Sequence, residues 1–321
     1  MSKVMNILES KHILSSKDFL TLGEHSREEI FALLDDAIKI KKLQKAGVSN
    51  QILQGKVLGM IFEKSSTRTR ISFEVGMLQL GGEAIFLSSK DLQLGRGESI
   101  HDTAKVMSRY VDGLMIRTTK HEIIEEFAKY ASIPIINGLT DKHHPVQVLS
   151  DLLTIYEHKG KLTGLKMCFS GDANNNMCHS LIEGAVKVGM NISIACPKGY
   201  EPDEAIFLKA KEEAKKNGSK IEVDSDPIKM IKDADVVVTD VFASMGQEHE
   251  AKKRLFDLQD YQVNESLCSY AKNDYIFLHC LPAHREEEVT SSIIDGEHSV
   301  VFDEAENRLH AQKAILKDLL G

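Results

Sequence analysis

The chain has 321 residues and a formal net charge of -8, with 40 Lys and Arg against 48 Asp and Glu, so it lacks the basic footprint of a general nucleic-acid binder. Its length suffices for two domains with separate cores. No apolar run is long enough to cross a bilayer and Met1-Ser2-Lys3 leads into no apolar leader segment, which makes a cytoplasmic protein the expectation. The five cysteines form an odd set without C-x-x-C spacing and read as reduced thiols.

Ser26 followed by Glu29 is a capping-box pattern, and Ile30, Leu33, Leu34, Ala37 and Ile38 then recur at helical spacing. Val57 to Phe62 reads as a buried parallel strand, after which Ser65-Ser66-Thr67-Arg68-Thr69-Arg70 opens a helix over 67–80. Ile71, Phe73, Val75, Met77, Leu78 and Leu80 are expected to supply that helix's apolar contacts. Its hydroxyls therefore fall at a helix N-terminus, where unpaired N–H groups, the helix dipole and the Arg68 fork favour a phosphate. An ordinary Ser/Thr cap beside solvated arginines is the competing reading.

The alternation continues with a strand over 83–87, a polar loop through Ser99, a helix near 101–109 and a strand over 111–117. Next come a helix with Ile123, Ile124, Phe127 and Ala128 inward and a strand over 133–137. Pro145 suits the first turn of a helix that continues through Val148, Leu149, Leu152, Leu153 and Tyr156, and that helix is expected to bridge two domains. A second alternation begins with a strand over 165–169, followed by strands over 192–195, 221–223, 236–239 and 275–279. The last segment, 307–320, is helical in spacing and could return across the first domain. The expected fold is α/β, two doubly wound domains with central parallel sheets joined by interdomain helices. Their limits are 1–148 and 149–304, with a C-terminal helix, about 305–321, packing back on the first.

In open parallel sheets, binding groups gather in loops at the C-terminal ends of strands. Arg117 ends one strand, and His143-His144-Pro145-Val146-Gln147 follows another, so these residues could converge on Arg68. The second half places Asp172-Ala173-Asn174-Asn175-Asn176, Asp240 through Gly246, and His279-Cys280-Leu281-Pro282 after strands. Asp can hold an ammonium, Asn can donate to a carboxylate, and a turn with Ser244 and Met245 offers hydroxyl and backbone contacts, a set suited to an amino acid. Polar turns are the other reading, above all for the Asn run.

Taken in order, these motifs resemble the aspartate/ornithine carbamoyltransferase family over nearly the full chain. Ser66-Thr67-Arg68-Thr69-Arg70, Arg117 and His144-Pro145-x-Gln147 carry the family-wide part, while Asp240-x-x-x-Ser244-Met245-Gly246 and His279-Cys280-Leu281-Pro282 point toward ornithine. The resemblance implies transfer of a carbamoyl group from carbamoyl phosphate to the side-chain amine of L-ornithine, giving citrulline and phosphate. It places Ser66, Thr67, Arg68 and Thr69 on the phosphate and Arg117, His144 and Gln147 on the carbamoyl portion or its bridging oxygen. Asn176, Asp240, Ser244 and Met245 would hold the amino-acid end, with Cys280 and Leu281 near the reacting amine and Arg308, at the start of the last helix, completing the active site. Arg117, His144, Cys280 and Arg308 are the residues implied in the chemical step.

Gln93 lies in a loop that by the same resemblance reaches a neighbouring subunit's carbamoyl phosphate site, which implies a homotrimer. Some relatives carry Lys where this chain has Gly97; Arg96 either compensates or is a solvated loop charge. Direct amine attack needs neither cofactor nor acyl-enzyme, and His279, Cys280 and His284 are too short a cluster to imply a metal. Another acceptor such as putrescine is the runner-up, opposed by the Ser244-Met245-Gly246 turn. A noncatalytic sensor is opposed by the presence of both half-sites.

Overall fold

A computed structural model describes residues 12–243 and 248–321 of the chain. In chain order the first part runs α1 (Arg27–Lys45), β1 (Val57–Phe62), α2 (Thr67–Gln79), β2 (Glu83–Ser88), α3 (Ile100–Met107), β3 (Gly113–Arg117), α4 (His121–Tyr130) and β4 (Ile135–Leu139). The second part runs α5 (Pro145–Lys159), β5 (Lys166–Ser170), α6 (Asn176–Lys187), β6 (Asn191–Ala195), α7 (Glu204–Asn217), β7 (Ile221–Asp224), β8 (Val236–Val238), α8 (Ala251–Leu258), β9 (Ile276–Leu278) and α9 (Val301–Leu320). Shorter helical turns fill several of the connections. The chain divides into two compact units, one of Glu24–Gly138 and Leu309–Gly321 with the described residues up to Leu20, the other of Thr21–Gly23 and Leu139–Arg308.

The first unit holds a four-stranded sheet ordered β2-β1-β3-β4, with β1 parallel to both neighbours. β3 is buried at every residue, as befits a strand covered on both faces. It starts at Gly113 rather than at 111 because the Asp112 carboxylate accepts from Val57 N–H at 2.8 Å, using that residue to tie down the strand start. Ile61, Leu114, Ile116, Ile124, Phe127 and Ile135 form one core between the sheet and its helices. Ser26 opens α1 by accepting from Glu29 N–H while Glu29 reaches back to Ser26 N–H, the expected capping box.

The α2 stripe departs from expectation. Phe73, Met77 and Leu80 are fully buried, but Ile71 and Leu78 are 53% and 71% exposed. Seven residues apart, these two share the helix face turned from the sheet. Ile85 and Phe86 on the edge strand β2 are exposed as well.

The last part of α9 completes this unit. Lys317 Nζ pairs with the buried Asp36 of α1 at 2.5 Å, and the Asp318 carboxylate accepts from Ile13 and Leu14 N–H groups. Leu320 lies so near Gly113 that a Cβ added there would meet it at 2.8 Å. From Leu309 onward the C-terminal helix belongs to the first unit. It begins at Val301, however, so Arg308 sits in its interior and not at its start. Apolar spacing over 307–320 misses this polar first turn, where Asp303 and Glu304 suit the positive end of the helix dipole.

The second unit is built on a five-stranded parallel sheet ordered β7-β6-β5-β8-β9. β5 lies at its centre, with Met167, Cys168 and Phe169 fully buried. α5 and α6 approach closely at Gly184, where a Cβ would run into the Val148 side chain at 2.8 Å. All five cysteines are free thiols, four of them buried.

Candidate functional site

In the first unit the site residues collect where β1 and β3 end. Ser66 is the N-cap of α2, in extended conformation, and its Oγ accepts from Thr69 N–H at 3.3 Å. Sheet register sets Phe62 of β1 opposite Arg117 of β3, which delivers a buried guanidinium beside the start of α2. Arg117 Nη1 donates to Thr69 Oγ1 at 3.4 Å. Thr67 is exposed and Arg68 half-buried at the same helix start. The arrangement offers hydroxyls, helix N–H groups and two permanent cations to one anion. Arg70 turns elsewhere: its Nε binds Glu74 at 2.9 Å and its guanidinium lies 3.9 Å from the Phe86 ring centre. Gln93 is exposed in the helical turn Gln93–Arg96; the Arg96 side chain lies outside the described part.

In the second unit His144 precedes the first turn of α5, with Pro145 at its first position, and its N–H donates to Ser180 Oγ at 2.8 Å. One turn on, Gln147 is buried, and its Nε2 donates to Asp151 Oδ1 at 2.8 Å and to Glu304 Oε1 at 3.0 Å. Glu304 Oε2 accepts from the His279 N–H at 2.9 Å, so one carboxylate ties α5 to the segment leaving β9. His279 Nδ1 accepts from Leu281 N–H at 2.9 Å, which places the ring proton on Nε2, 3.1 Å from Glu288 Oε1. Arg308 is buried one helical turn after Glu304.

Asp240, just beyond β8, is buried, and burial raises its pKa. The Cys280 thiol donates to Asp240 Oδ1 at 3.4 Å. Burial, and then the Asp240 charge, push that thiol well above its usual value. Cys280 is therefore a neutral donor, not a thiolate nucleophile. Among the described residues no Lys or Arg pairs with Asp240, which leaves this acid ready for a cation supplied from outside the chain. The charges of Asp240 and Arg308 both act on Asp151, and those of Glu304 and Asp151 act on Cys280; these groups form one cluster.

The Asn run divides its work. Asn175 caps α6 by accepting from Cys178 N–H at 2.8 Å, and Asn176 Nδ2 donates to the Thr140 carbonyl at 2.6 Å. Asp172, a candidate for holding an ammonium, is already paired with Arg254 Nη1 at 2.5 Å. Ser244, Met245 and Gly246 lie outside the described residues. The described groups that could ligate a metal are His284, Glu287 and Glu288, with ligand atoms within 4.8 Å of one another; Glu288 Oε1 already accepts from His279 and from His284 N–H.

Asp151, Glu304, Glu288 and Arg254 were not legible as site residues. The available signal was spacing: Gln147 with Asp151, and Glu304 with Arg308, stand four apart on a helix and so share a face.

Comparison with known proteins bears on both units. Residues 17–157 match the carbamoyl-P binding domain of aspartate/ornithine carbamoyltransferase, and residues 163–319 match the Asp/Orn binding domain of the same family. The chain is 60% identical over 309 residues to the ornithine carbamoyltransferase of Bacillus subtilis, covering 96% of this chain and 95% of that one. It is 59% identical over 305 residues to that of Carboxydothermus hydrogenoformans, covering 95% and 98%. Among solved structures, ornithine carbamoyltransferase from Pyrococcus furiosus is similar with a TM-score of 0.91 and 52% identity, covering 93% of this chain and 95% of that chain.

Proposed function

The chain belongs to the aspartate/ornithine carbamoyltransferase family, and from that premise we propose that it transfers the carbamoyl group of carbamoyl phosphate to the side-chain amine of L-ornithine, yielding citrulline and phosphate. The first unit holds the phosphate through Ser66, Thr67, Arg68 and Thr69, and Arg117 reaches the carbamoyl end. In the second unit His144, Gln147 and Arg308 address the carbamoyl group, Asn176, Asp240, Ser244 and Met245 hold ornithine, and Cys280 and Leu281 border the reacting amine. The neutral amine attacks the carbamoyl carbon; a C–N bond forms, the C–O bond to phosphorus breaks, and phosphate leaves with the electron pair. The phosphate is the acceptor proposed for the amine proton. His144 and Arg308 polarise the carbonyl, and the arginines stabilise the departing charge.

The observation that carries this reading is Asp240, a buried acid that accepts from a neutral thiol and pairs with no Lys or Arg among the described residues. An ammonium from the substrate completes it. A homotrimer with Gln93 reaching a neighbour's site is proposed too; exposed Ile71 and Leu78 on α2 and exposed Ile85 and Phe86 on an edge strand support it. A cytoplasmic setting is proposed from the free thiols. Among the described residues no helix is long and apolar enough to cross a membrane.

The test is citrulline formation by the purified protein with ornithine, putrescine or aspartate as acceptor. Ornithine is expected to be preferred by roughly 100-fold or more in kcat/KM, since a site built to pair polar groups rejects an acceptor that leaves them bare. Failure to turn over ornithine while carbamoyl phosphate still binds would sink the assignment.

A further inference from the structure

Gln147 is buried, as are the two acids that touch it, Asp151 and Glu304. Both acids meet the same Gln147 atom, Nε2, at 2.8 and 3.0 Å. The other end of that amide, Oε1, is buried without a hydrogen-bond partner among the described residues. One ionised acid is enough to enforce this polarity. A carboxylate oxygen only accepts, so the atom shared between two acids must be the amide nitrogen with its two hydrogens. Both acids are held above the ordinary carboxylate range, Glu304 by burial and then by the charge of Asp151, and Asp151 by burial. Even with one of them protonated, an amide oxygen at the shared position would still face an acceptor.

We propose that Asp151 and Glu304 are positioning residues that fix which end of Gln147 faces the substrate, leaving Oε1 as the acceptor for the amino group of carbamoyl phosphate. The proposal rests on the reading of Gln147 as a carbamoyl contact. Of the two acids, Glu304 has the stricter task. Its Oε1 accepts from Gln147 and its Oε2 accepts from His279 N–H at 2.9 Å. Only a group with two acceptor oxygens satisfies both neighbours. A glutamine in its place would point an NH2 at one of them, donor against donor. Asp151 meets Gln147 through Oδ1 alone, so an asparagine there, with its amide oxygen in that place, can keep this bond.

The experiment compares carbamoyl phosphate with acetyl phosphate, which has a methyl where the substrate has its amino group. The readout is the ratio of the acetyl phosphate inhibition constant to the carbamoyl phosphate KM. Glu304→Gln is expected to lower this ratio about tenfold, by weakening carbamoyl phosphate use while acetyl phosphate inhibition stays constant, whereas Asp151→Asn should leave it within about twofold. A general loss of structure would weaken both ligands and leave the ratio unchanged. Gln147→Ala separates the two claims. If it leaves the ratio unchanged, the carbamoyl role of Gln147 is wrong; if it lowers the ratio but folded Glu304→Gln does not, the positioning role is wrong. Should Glu304→Gln not fold, Asp151→Ala, which strips one acceptor from the amide, is expected to lower the ratio at least about threefold, and an unchanged ratio there overturns the proposal.

Discussion

β1 and β5 are both interior strands of parallel sheets, and each is followed by a polar loop, a capping side chain and a helix. In the first unit Ser66 takes the Thr69 N–H, and in the second Asn175 takes the Cys178 N–H. From this shared start the two regions diverge in charge. β3, the neighbour of β1, ends in Arg117 and places a cation beside the helix start. β8, the neighbour of β5, leads into Asp240, an acid met by the Cys280 thiol, while Asp172 is neutralised by Arg254. A helix N-terminus after a central strand is thus a generic platform. The side chain delivered by the adjacent strand sets the local charge beside it.

The sharpest way to break this contrast is a pair of truncations. Arg68→Ala is expected to lower kcat/KM for carbamoyl phosphate by roughly 100- to 1,000-fold, as for loss of a charge-stabilising donor, with little change in the KM for ornithine. Asp240→Ala should raise the ornithine KM by a similar order and leave carbamoyl phosphate binding nearly intact. Steady-state kinetics with each substrate varied in turn measures both, and one shared defect in two folded variants would erase the division.

The caps sharpen the comparison further. Ser66→Ala and Asn175→Ala should each cost about 1 kcal/mol of stability in urea unfolding. Only Ser66→Ala should also weaken carbamoyl phosphate, because only that cap sits among the cations.

The smallest effect serves as a control at the cap of α1. Glu29 is half-buried, and although burial opposes its charge, bonds from the Ser26 and Ser15 N–H groups bring its pKa down to about 2. Because the native value lies below the unfolded one, its contribution is present above about pH 4.5 and fades as pH falls toward 2. Glu29→Gln is expected to cost about 1 kcal/mol or less at pH 7 and to flatten that acid slope, without altering either substrate constant. Urea titrations at pH 7 and pH 3 check it.

How much of this could be read beforehand follows from how local each feature is. The capped start of α2 was legible because Ser66 to Thr69 are contiguous and an N-cap follows from local sequence. The capping box of α1 was legible for the same reason. The outward turn of Ile71 and Leu78 was not, since apolar spacing identifies a helix but not how much of its circumference a sheet will cover. Glu304 and Asp151 were missed because an acid in a helix usually faces water. Their importance comes from partners 157 and 4 residues away along the chain, meeting on one amide. Arg308 was misplaced at a helix start, because the polar first turn of α9 carries no apolar rhythm.

The division of α9 between two units has a consequence for the order in which the protein can form. The first unit contains most of the early part of the chain, yet Leu309–Gly321 belongs to it as well. Without those residues, Asp36 loses the Lys317 ammonium, and the Ile13 and Leu14 N–H groups lose the Asp318 carboxylate. In a chain made from its N-terminus, the residues of the second sheet are therefore all synthesised before those that complete the first unit.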